Sequence, residues 1–356
     1  MSLPSVSNAP ALFVDDDCNF KVIRSVPIPE LAPGEVIVKV SFSGVNPADV
    51  KHGLHLGVRN TVMGYDFSGR VVRANPDSAF KVGEVVAGHV PTGVGKPWKH
   101  GAHQEYLSCP EEIVFKVPDN LPRDHAACLT TVLTTAADGL YNIFGYPLPG
   151  EQPSKGFKPG PLLIWGASTS VGLCMLQLAR ASGAFPIFVT ASLRRHELLE
   201  KLGATRCFDY ASPDVESRIQ ASVAEAEAGP IAYAADCAGT MGEVSSADQM
   251  LKCVGADAKL LSVVGGRDRR FKMPLASAHA PVKLALGGRV IEFPARPEDF
   301  GRMWKSVIWA VENYGDAFSL PVVDVFKGDA EKALEEVKKV ADQGKFGKLV
   351  LEHPLQ

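Results

Sequence analysis

The sequence has few cysteines, and none of them has a metal-binding spacing. Seven cysteines are spread over 356 residues, an odd number without any C-x-x-C pair. This pattern argues against a disulfide framework and against a zinc site. The nine histidines form no H-E-x-x-H motif. We therefore predict that the protein binds no metal.

Long apolar runs and a strong net charge are also missing. No run reaches the roughly 18 residues that span a bilayer, and the first ten residues, MSLPSVSNAP, lack the features of a secretory signal. A net charge of −3 does not indicate binding to nucleic acid or to an anionic membrane. With 46% hydrophobic and 22% charged residues, we expect a soluble cytoplasmic protein, and the length favours two domains.

The rest of the chain is organised around the stretch Pro161–Gly183. Its apolar run Leu162–Trp165 predicts a strand of a buried parallel sheet. A turn containing Gly166 follows, and apolar residues recur at helical spacing from Val171. Such a turn presents backbone N–H groups at a helix N-terminus, where the helix dipole favours an anion. The stretch therefore predicts a phosphate-binding turn.

The dinucleotide fingerprint G-x-G-x-x-G is itself absent, because Gly166 and Gly172 stand six residues apart. Between them, Ser168, Thr169 and Ser170 carry hydroxyl groups that can donate to phosphate oxygens. A strand–helix crossover that binds nothing would show the same pattern. The turn alone leaves both interpretations open.

The end of the second predicted strand, Pro186–Thr190, favours NADPH over NADH. An NAD enzyme carries an Asp or Glu there, about 20 residues after the glycine turn. Here Ser192, Arg194 and Arg195 follow instead, and guanidinium groups bind a 2′-phosphate well. The alternative is a solvated first helical turn, although cations are unfavourable at a helix N-terminus.

Two kinds of secondary-structure pattern predict two domains. Up to about residue 125, strands such as Glu35–Phe42 alternate with turns rich in Gly and Pro, which predicts a partly closed β-barrel. From about Leu129, alternating strands and helices predict a doubly wound α/β sheet. The sheet pattern stops after Gly266. Strands are predicted at 162–165, 186–190, 206–209, 231–236, 259–264 and 348–352, and helices at 171–182, 194–202, 213–226, 242–253, 296–313 and 330–343.

The order of four motifs resembles the medium-chain dehydrogenase/reductase superfamily. They are V-N-P-x-D (Val45–Asp49), G-x-D-x-x-G (Gly64–Gly69), G-A-x-Q-E-Y (Gly101–Tyr106) and G-A-S-x-x-V-G (Gly166–Gly172). The resemblance covers nearly the whole chain. It implies a GroES-like catalytic domain over residues 1–128, a Rossmann NADP-binding domain over 129–285, and a return to the catalytic domain over 286–356.

Within that superfamily, the sequence resembles the zinc-free branch. Zinc-dependent members carry a catalytic Cys after the first strands, a G-H-E motif and a four-Cys lobe. At the positions of the catalytic Cys and the G-H-E motif, this sequence has Asn46 and Pro47, and then Tyr65 and Asp66. The four-Cys lobe is missing. The turn GASTSVG is similar to that of fungal trans-acting enoyl reductases, which are stand-alone partners of polyketide synthases.

The resemblance implies the site chemistry. Enoyl reduction adds hydride to the β-carbon of an unsaturated thioester, stabilises charge on the thioester oxygen and protonates the α-carbon. Lys51, with Asp49 nearby, is the predicted catalytic pair, and a surface lysine is the alternative. The stretch His52–Arg59 lacks the Tyr that mitochondrial-type enoyl reductases use as proton donor, so the donor is left unassigned.

Further site residues follow from the resemblance. The predicted cofactor contacts are Ala48, Val50, Gly166, Ser168, Thr169, Ser170, Val171, Ser192, Arg194, Arg195, Tyr210, Val263, Val264, Phe346 and Gly347. The predicted substrate contacts are Thr134, Thr135, Asp138, Tyr141, Leu286, Gly287 and Gly288. A helix–helix contact is the alternative for the threonines and Asp138. The basic segment 267–270 is either a contact for a carrier domain or a solvated loop.

We predict an NADPH-dependent, metal-free enoyl reductase. Its substrate would be an acyl chain bound to the carrier of a polyketide synthase, or of a hybrid with a nonribosomal peptide synthetase. A free-standing quinone or enone reductase and a non-catalytic NADPH-binding protein would need the same fold. The resemblance implies a monomer, and dimerisation through an edge strand near Lys259–Val264 is the alternative.

Overall fold

The computed structural model describes residues 6–264 and 268–356, and the chain divides into two compact units. The first unit contains residues 1–131, 277–297 and 320–356, and the second contains residues 132–276 and 298–319. Arg267, the first residue of the predicted basic segment, lies outside the described residues. No helix in the described ranges is long and apolar enough to cross a bilayer.

The strands are numbered along the described chain. They are β1 (Val6–Ser7), β2 (Ala11–Val14), β3 (Phe20–Ile23), β4 (Val26–Pro27), β5 (Glu35–Gly44), β6 (Thr61–Val62), β7 (Asp66–Ala74), β8 (Val85–His89), β9 (Tyr106–Pro110), β10 (Val114–Lys116), β11 (Leu162–Trp165), β12 (Ile187–Thr190), β13 (Arg206–Phe208), β14 (Tyr233–Asp236), β15 (Lys259–Ser262), β16 (Phe271–Lys272), β17 (Val282–Leu286), β18 (Arg289–Phe293), β19 (Val323–Phe326) and β20 (Lys348–Glu352).

The helices are numbered in the same way. They are α1 (Ala48–His55), α2 (Arg123–Ala126), α3 (Thr130–Ala137), α4 (Ser170–Ala181), α5 (His196–Leu202), α6 (Val215–Glu225), α7 (Ser246–Leu251), α8 (Pro297–Glu312) and α9 (Ala330–Gln343). A π-helical turn at Asp138–Ile143 follows α3, and short 3-10 turns occur at Trp98–His100, Glu111–Ile113 and Leu193–Arg195.

The first unit is built around β5, a ten-residue strand with a buried apolar stretch at 36–38. It pairs antiparallel with β7, β9 and β20, in a sheet of order β10-β8-β7-β5-β20-β19. Helix α1 follows β5 and packs with α9 in an apolar core that includes Val50, Leu334 and Val337. This core fixes the helix that carries the predicted residue Lys51.

The second unit is built on a parallel sheet of order β13-β12-β11-β14-β15-β16. Leu163 and Trp165 of β11 are buried against Phe188 and Phe208, and burial of each such side chain stabilises the fold by about 1.5–3 kcal/mol. The strand order reverses between β11 and β14, the point at which ligands bind in open α/β sheets. This confirms the predicted doubly wound architecture.

One prediction for the chain after Gly266 is wrong. The parallel sheet does not stop there, because β16 pairs with Leu260 and Leu261 of β15. A hairpin of β17 and β18 follows in the first unit, and its turn residues Gly287 and Gly288 have φ values of 57° and 77°. Positive φ at both positions is what a tight two-residue hairpin turn requires.

Candidate active site

The turn between β11 and α4 has the shape of a phosphate cradle. Gly166 has a φ of 81°, and a Cβ there would lie 2.7 Å from the Cβ of Ala238. A Cβ at Gly172 would lie 2.5 Å from the carbonyl oxygen of Gly166. Both positions therefore require glycine. Because the first N–H groups of α4 have no partner within the helix, the turn fits a dinucleotide phosphate.

Thr169 shapes this turn and is not a phosphate donor. Its Oγ1 accepts a hydrogen bond from the Gly172 N–H at 3.1 Å and donates to the Cys237 carbonyl at 3.0 Å. The hydroxyl proton is thus committed within the protein, which corrects the predicted donation from Thr169. The other predicted residues of the turn are half-buried at the start of α4: Ser168, Ser170 and Val171.

The residues predicted to bind the 2′-phosphate follow two neighbouring strands. The Ala191 N–H, just after β12, donates to the carbonyl of Phe208 at the end of β13 at 3.0 Å. The carboxyl ends of these parallel strands therefore meet at one edge of the sheet. Beyond them lie Ser192, Arg194, Arg195 and Tyr210. Arg194 and Tyr210 are exposed, so the structure brings a guanidinium group and a phenol to the expected edge.

Asp236, at the end of β14, is a site residue that was not predicted from the sequence. Its buried carboxylate accepts hydrogen bonds from the Ser262 hydroxyl at 2.8 Å and from the Gly239 N–H at 3.1 Å. Gly239 has a φ of 58°, and a Cβ there would lie 2.8 Å from Val263 and 3.0 Å from Val264. The two predicted valines thus pack on the loop that Asp236 fixes. A carboxylate at the end of an apolar strand was the available signal.

Helix α1 holds its predicted residues in different environments. Lys51 is half-buried, and its ammonium makes no hydrogen bond or ion pair within the described chain. The side chain of Val50 lies in the apolar core, so the predicted contact of Val50 with the cofactor would use its backbone. The fully buried carboxylate of Asp49 accepts from the Asn46 N–H at 2.8 Å and lies 3.2 Å from His103 Nε2. Asp49 is therefore a positioning residue.

A buried chain of hydrogen bonds leads away from Asp49. Ser43 Oγ lies 2.8 Å from His103 Nδ1 and 2.7 Å from His353 Nε2. Burial lowers the pKa of His353 to about 3, with a smaller contribution from His103, so the His353 imidazole is neutral at pH 7. These contacts tie the start of α1 to the segment after β20.

The residues at the positions of the zinc-site motifs form a hydrogen-bonded network that includes a lysine. Asp66 accepts from Asn46 Nδ2 at 2.8 Å and from Thr131 Oγ1 at 2.6 Å, while Lys348 Nζ donates to Asn46 Oδ1 at 2.6 Å. Burial raises the pKa of Asp66, and the Lys348 ammonium opposes this effect. Because these polar atoms are paired with one another, the donor set does not fit a zinc ion. No three-residue cluster of metal-ligand type occurs among the described residues.

A second polar cluster includes His52 of α1. His52 Nδ1 lies 2.9 Å from the Tyr65 hydroxyl, to which Thr92 Oγ1 donates at 3.2 Å. Lys96 Nζ lies 4.5 Å from the centre of the Tyr65 ring. Burial lowers the pKa of His52 to about 4 and that of Lys96 to about 7, and it raises the pKa of Tyr65. The sequence identified Tyr65 only as a residue at a motif position, and this cluster was not predicted.

Two residues predicted to contact substrate are internal to the second unit. Both carboxylate oxygens of Asp138 accept hydrogen bonds at 2.8 Å, one from Asn142 Nδ2 and one from the Leu275 N–H. Tyr141 is fully buried, with its hydroxyl 3.3 Å from Ser182 Oγ. Their side chains hold the π-helical turn in place, which corrects the prediction of direct substrate contact.

The remaining predicted residues are distributed over both units. Gly347 has a φ of 82°, and a Cβ there would lie 2.6 Å from the Val322 carbonyl oxygen, so only glycine fits. Thr134 is fully buried, and the turn Gly287–Gly288 is exposed. The half-buried members are Ala48, Thr135, Leu286 and Phe346.

Comparison with known proteins identifies the family. A model of the alcohol dehydrogenase GroES-like domain matches residues 32–119, and one of the zinc-binding dehydrogenases matches residues 170–288. The trans-enoyl reductase caaB of Aspergillus niger is 31% identical over 268 residues, which cover 73% of this chain and 69% of that protein. The chain belongs to the trans-enoyl reductase family of medium-chain dehydrogenases/reductases.

One further relative agrees with this family, and one solved structure agrees with the fold. The trans-enoyl reductase RAP2 of Pyricularia oryzae is 36% identical over 222 residues, 62% of each chain, so this match spans less than two thirds of that relative's length. The structure of mycobacterial Rv1454c complexed with NADPH has a TM-score of 0.69 and 20% identity, covering 97% of this chain and 99% of that one. This likeness confirms the GroES-like and Rossmann fold.

Proposed function

We propose that this trans-enoyl reductase uses NADPH to reduce the α,β double bond of an acyl thioester held by the carrier of a polyketide synthase or a hybrid synthase. The names of its relatives support the reaction type. The observation that carries the proposal is the carboxyl edge of the parallel sheet, where the glycine-dependent turn at Gly166 lies one strand away from the exposed Arg194. A phosphate cradle beside a guanidinium group suits a dinucleotide with a 2′-phosphate.

NADPH supplies the hydride when it is bound. The N-terminus of α4 would hold the pyrophosphate, with Ser168 and Ser170 as hydroxyl donors. Ser192, Arg194, Arg195 and Tyr210 would bind the 2′-phosphate. The solved relative that was complexed with NADPH supports this cofactor.

Lys51 is the proposed group that stabilises the developing charge of the substrate. Its ammonium has no internal partner among the described residues, whereas the neighbouring Asp49 carboxylate is buried and bonded. An unpaired cation on a helix fixed by the core can stabilise negative charge on a thioester oxygen. We assign this task to the first unit and cofactor binding to the second, and we place the enzyme in the cytoplasm as a monomer.

The test compares NADPH oxidation with three acceptors: an α,β-unsaturated thioester on a pantetheine arm, a simple quinone and a simple enone. We expect the thioester to be reduced at the highest kcat/KM. Turnover of the quinone alone would identify a free-standing quinone reductase. Binding of NADPH without oxidation by any acceptor would identify a non-catalytic protein.

A further inference from the structure

Each enoyl reduction consumes one proton as well as one hydride, because the α-carbon must gain a hydrogen. The donor of that proton is not assigned by the motifs, since the stretch His52–Arg59 contains no Tyr. The structure offers a donor of a different kind next to Lys51. The inference rests on the function proposed above and adds a residue role to it.

His52 has one bonded and one open nitrogen. It follows Lys51 on α1 and is half-buried. Nδ1 lies 2.9 Å from the Tyr65 hydroxyl. Nε2 makes no hydrogen bond within the described chain and is not among its enclosed polar atoms. The half-buried imidazole thus lies beside a buried phenol, 5% exposed, and keeps its second nitrogen unbonded within the described chain.

The contacts around Tyr65 favour one direction for its proton. Thr92 Oγ1 donates to the phenol oxygen at 3.2 Å and lies 3.5 Å from His52 Nδ1. With Thr92 as that donor, His52 Nδ1 at 2.9 Å is the acceptor in place for the phenol proton. A neutral imidazole carries a proton on only one nitrogen. In this arrangement His52 carries it on Nε2, the nitrogen without a hydrogen bond within the described chain.

We propose that His52 and Tyr65 form the proton-donating pair of the reductase. The α-carbon of the reduced substrate takes the proton from His52 Nε2, forming a C–H bond as the N–H bond breaks. In the same step Nδ1 takes the hydroxyl proton of Tyr65. The negative charge of the enolate is thereby transferred to the Tyr65 oxygen, and a proton from water later restores the phenol.

The surroundings suit a relay of this kind. Thr92 donates to the oxygen that becomes negative, and the Lys96 ammonium lies 4.5 Å from the centre of the same ring. Burial is the largest cause that lowers the pKa of His52 to about 4; Lys96 lowers it further and Asp49 opposes the shift. His52 is therefore neutral above about pH 5, and a neutral imidazole can give up its proton only if another group replaces it. Tyr65 is the group in place to do so.

The test separates hydride transfer from protonation. In Tyr65→Phe, which keeps the ring beside Lys96, we expect single-turnover NADPH oxidation to change less than threefold. Release of protonated product should fall about 100-fold, the low end of general acid catalysis. His52→Ala should give a similar loss, and the double variant should lose little more, because the two residues act in one step. Tyr106→Phe, a buried tyrosine of β9 outside the pair, is the matched control and should behave as the wild type.

Nitrogen-15 NMR of His52 provides a readout that does not depend on activity. We expect the proton on Nε2 from pH 5 to 8 in the wild type and a mixture of tautomers in Tyr65→Phe. A wild-type His52 with its proton on Nδ1 would overturn the proposal, as would wild-type product release by folded Tyr65→Phe. Failure of the wild-type enzyme to reduce any enoyl thioester would instead overturn the proposed function, and this inference with it.

Discussion

The Lys348 ammonium and the side-chain oxygen of Asn46 lie 2.6 Å apart, and both residues are only 3% exposed. Asn46 links Lys348 to Asp66, because the Asn46 side-chain amide donates a hydrogen bond to the buried Asp66 carboxylate. A cation supplied by the chain itself thus stabilises the region where zinc-dependent relatives carry ligand motifs. Removing one partner leaves the others buried and unpaired, which is the costly case for buried charges.

Lys348→Met should therefore lower the free energy of unfolding by about 3–5 kcal/mol. Lys345→Met is the matched control. Lys345 pairs with Asp324 at the surface, with side chains 34% and 54% exposed, and such pairs contribute about 0–1 kcal/mol. Urea denaturation of both variants measures the difference. Equal losses of unfolding free energy in the two variants would mean that the buried Lys348 contacts contribute no more to stability than the surface pair of Lys345.

Arg194→Ala should weaken NADPH binding and spare NADH. A charge-assisted hydrogen bond contributes about 1.5–3 kcal/mol, so we expect the Kd for NADPH to rise about 10-fold or more. The Kd for NADH should stay within twofold. Titration calorimetry with both dinucleotides measures this. Arg218→Ala, an exposed arginine of α6, should leave both constants unchanged, and equal weakening for both cofactors in Arg194→Ala would argue against a 2′-phosphate contact.

Gly166→Ala should abolish cofactor binding and destabilise the protein. Both Gly166 and Gly183 have positive φ, 81° and 75°, but only at Gly166 does a Cβ meet other atoms, at 2.7 Å. Gly183→Ala therefore carries the backbone strain alone, about 1–2 kcal/mol. We expect a larger loss of stability in Gly166→Ala and wild-type NADPH affinity in Gly183→Ala. If the two variants bind NADPH equally, the turn at Gly166 is not the cradle.

Lys51→Met should reduce thioester turnover about 100-fold with little change in the Kd for NADPH, because a preorganised charge acts on the transition state. Lys51→Arg keeps the positive charge and should recover part of the rate. Steady-state kinetics combined with NADPH titration separates the two effects. A large rise in the Kd for NADPH at unchanged kcat would instead place Lys51 on the ribose of the cofactor.

Lys96 should make stability depend on pH above neutrality. Burial lowers its pKa in the folded protein to about 7, from an ordinary value of 10.5. Between these values the unfolded chain binds more protons than the folded one, so the free energy of unfolding rises with pH. Urea denaturation at pH 7 and pH 9 should show this rise in the wild type. Lys96→Met should show a smaller rise, and an unchanged slope in that variant would contradict the assignment to Lys96.

The sequence predicted the elements whose periodicity is long or uninterrupted. The strand Leu162–Trp165 and the helix Ala330–Gln343 occur at the predicted residues. The strand Phe271–Lys272 was missed because two residues carry no periodicity. The hairpin around Gly287–Gly288 was not predicted, although two adjacent glycines favour such a turn.

Site residues were harder to predict, because motif position does not determine exposure. Asp49, Asp138 and Tyr141 have the side chains of catalytic groups, yet each is buried with partners inside its own unit. The contact between His52 and Tyr65 joins two segments 13 residues apart, and neither helical nor strand periodicity encodes it. Asp236 could have been predicted, because the sequence shows a carboxylate at the end of an apolar strand.

The position of β20 beside β5 sets an order of events during synthesis on the ribosome. Residues 42–44 of β5 pair on one edge with 66–68 of β7, but on the other edge they find partners only at 350–352, about 300 residues later in translation. The parallel sheet of the second unit, by contrast, is complete once residue 272 has emerged. The nascent chain therefore carries an unpaired edge on β5 through most of its synthesis, a surface that chaperones would have to shield from other growing chains.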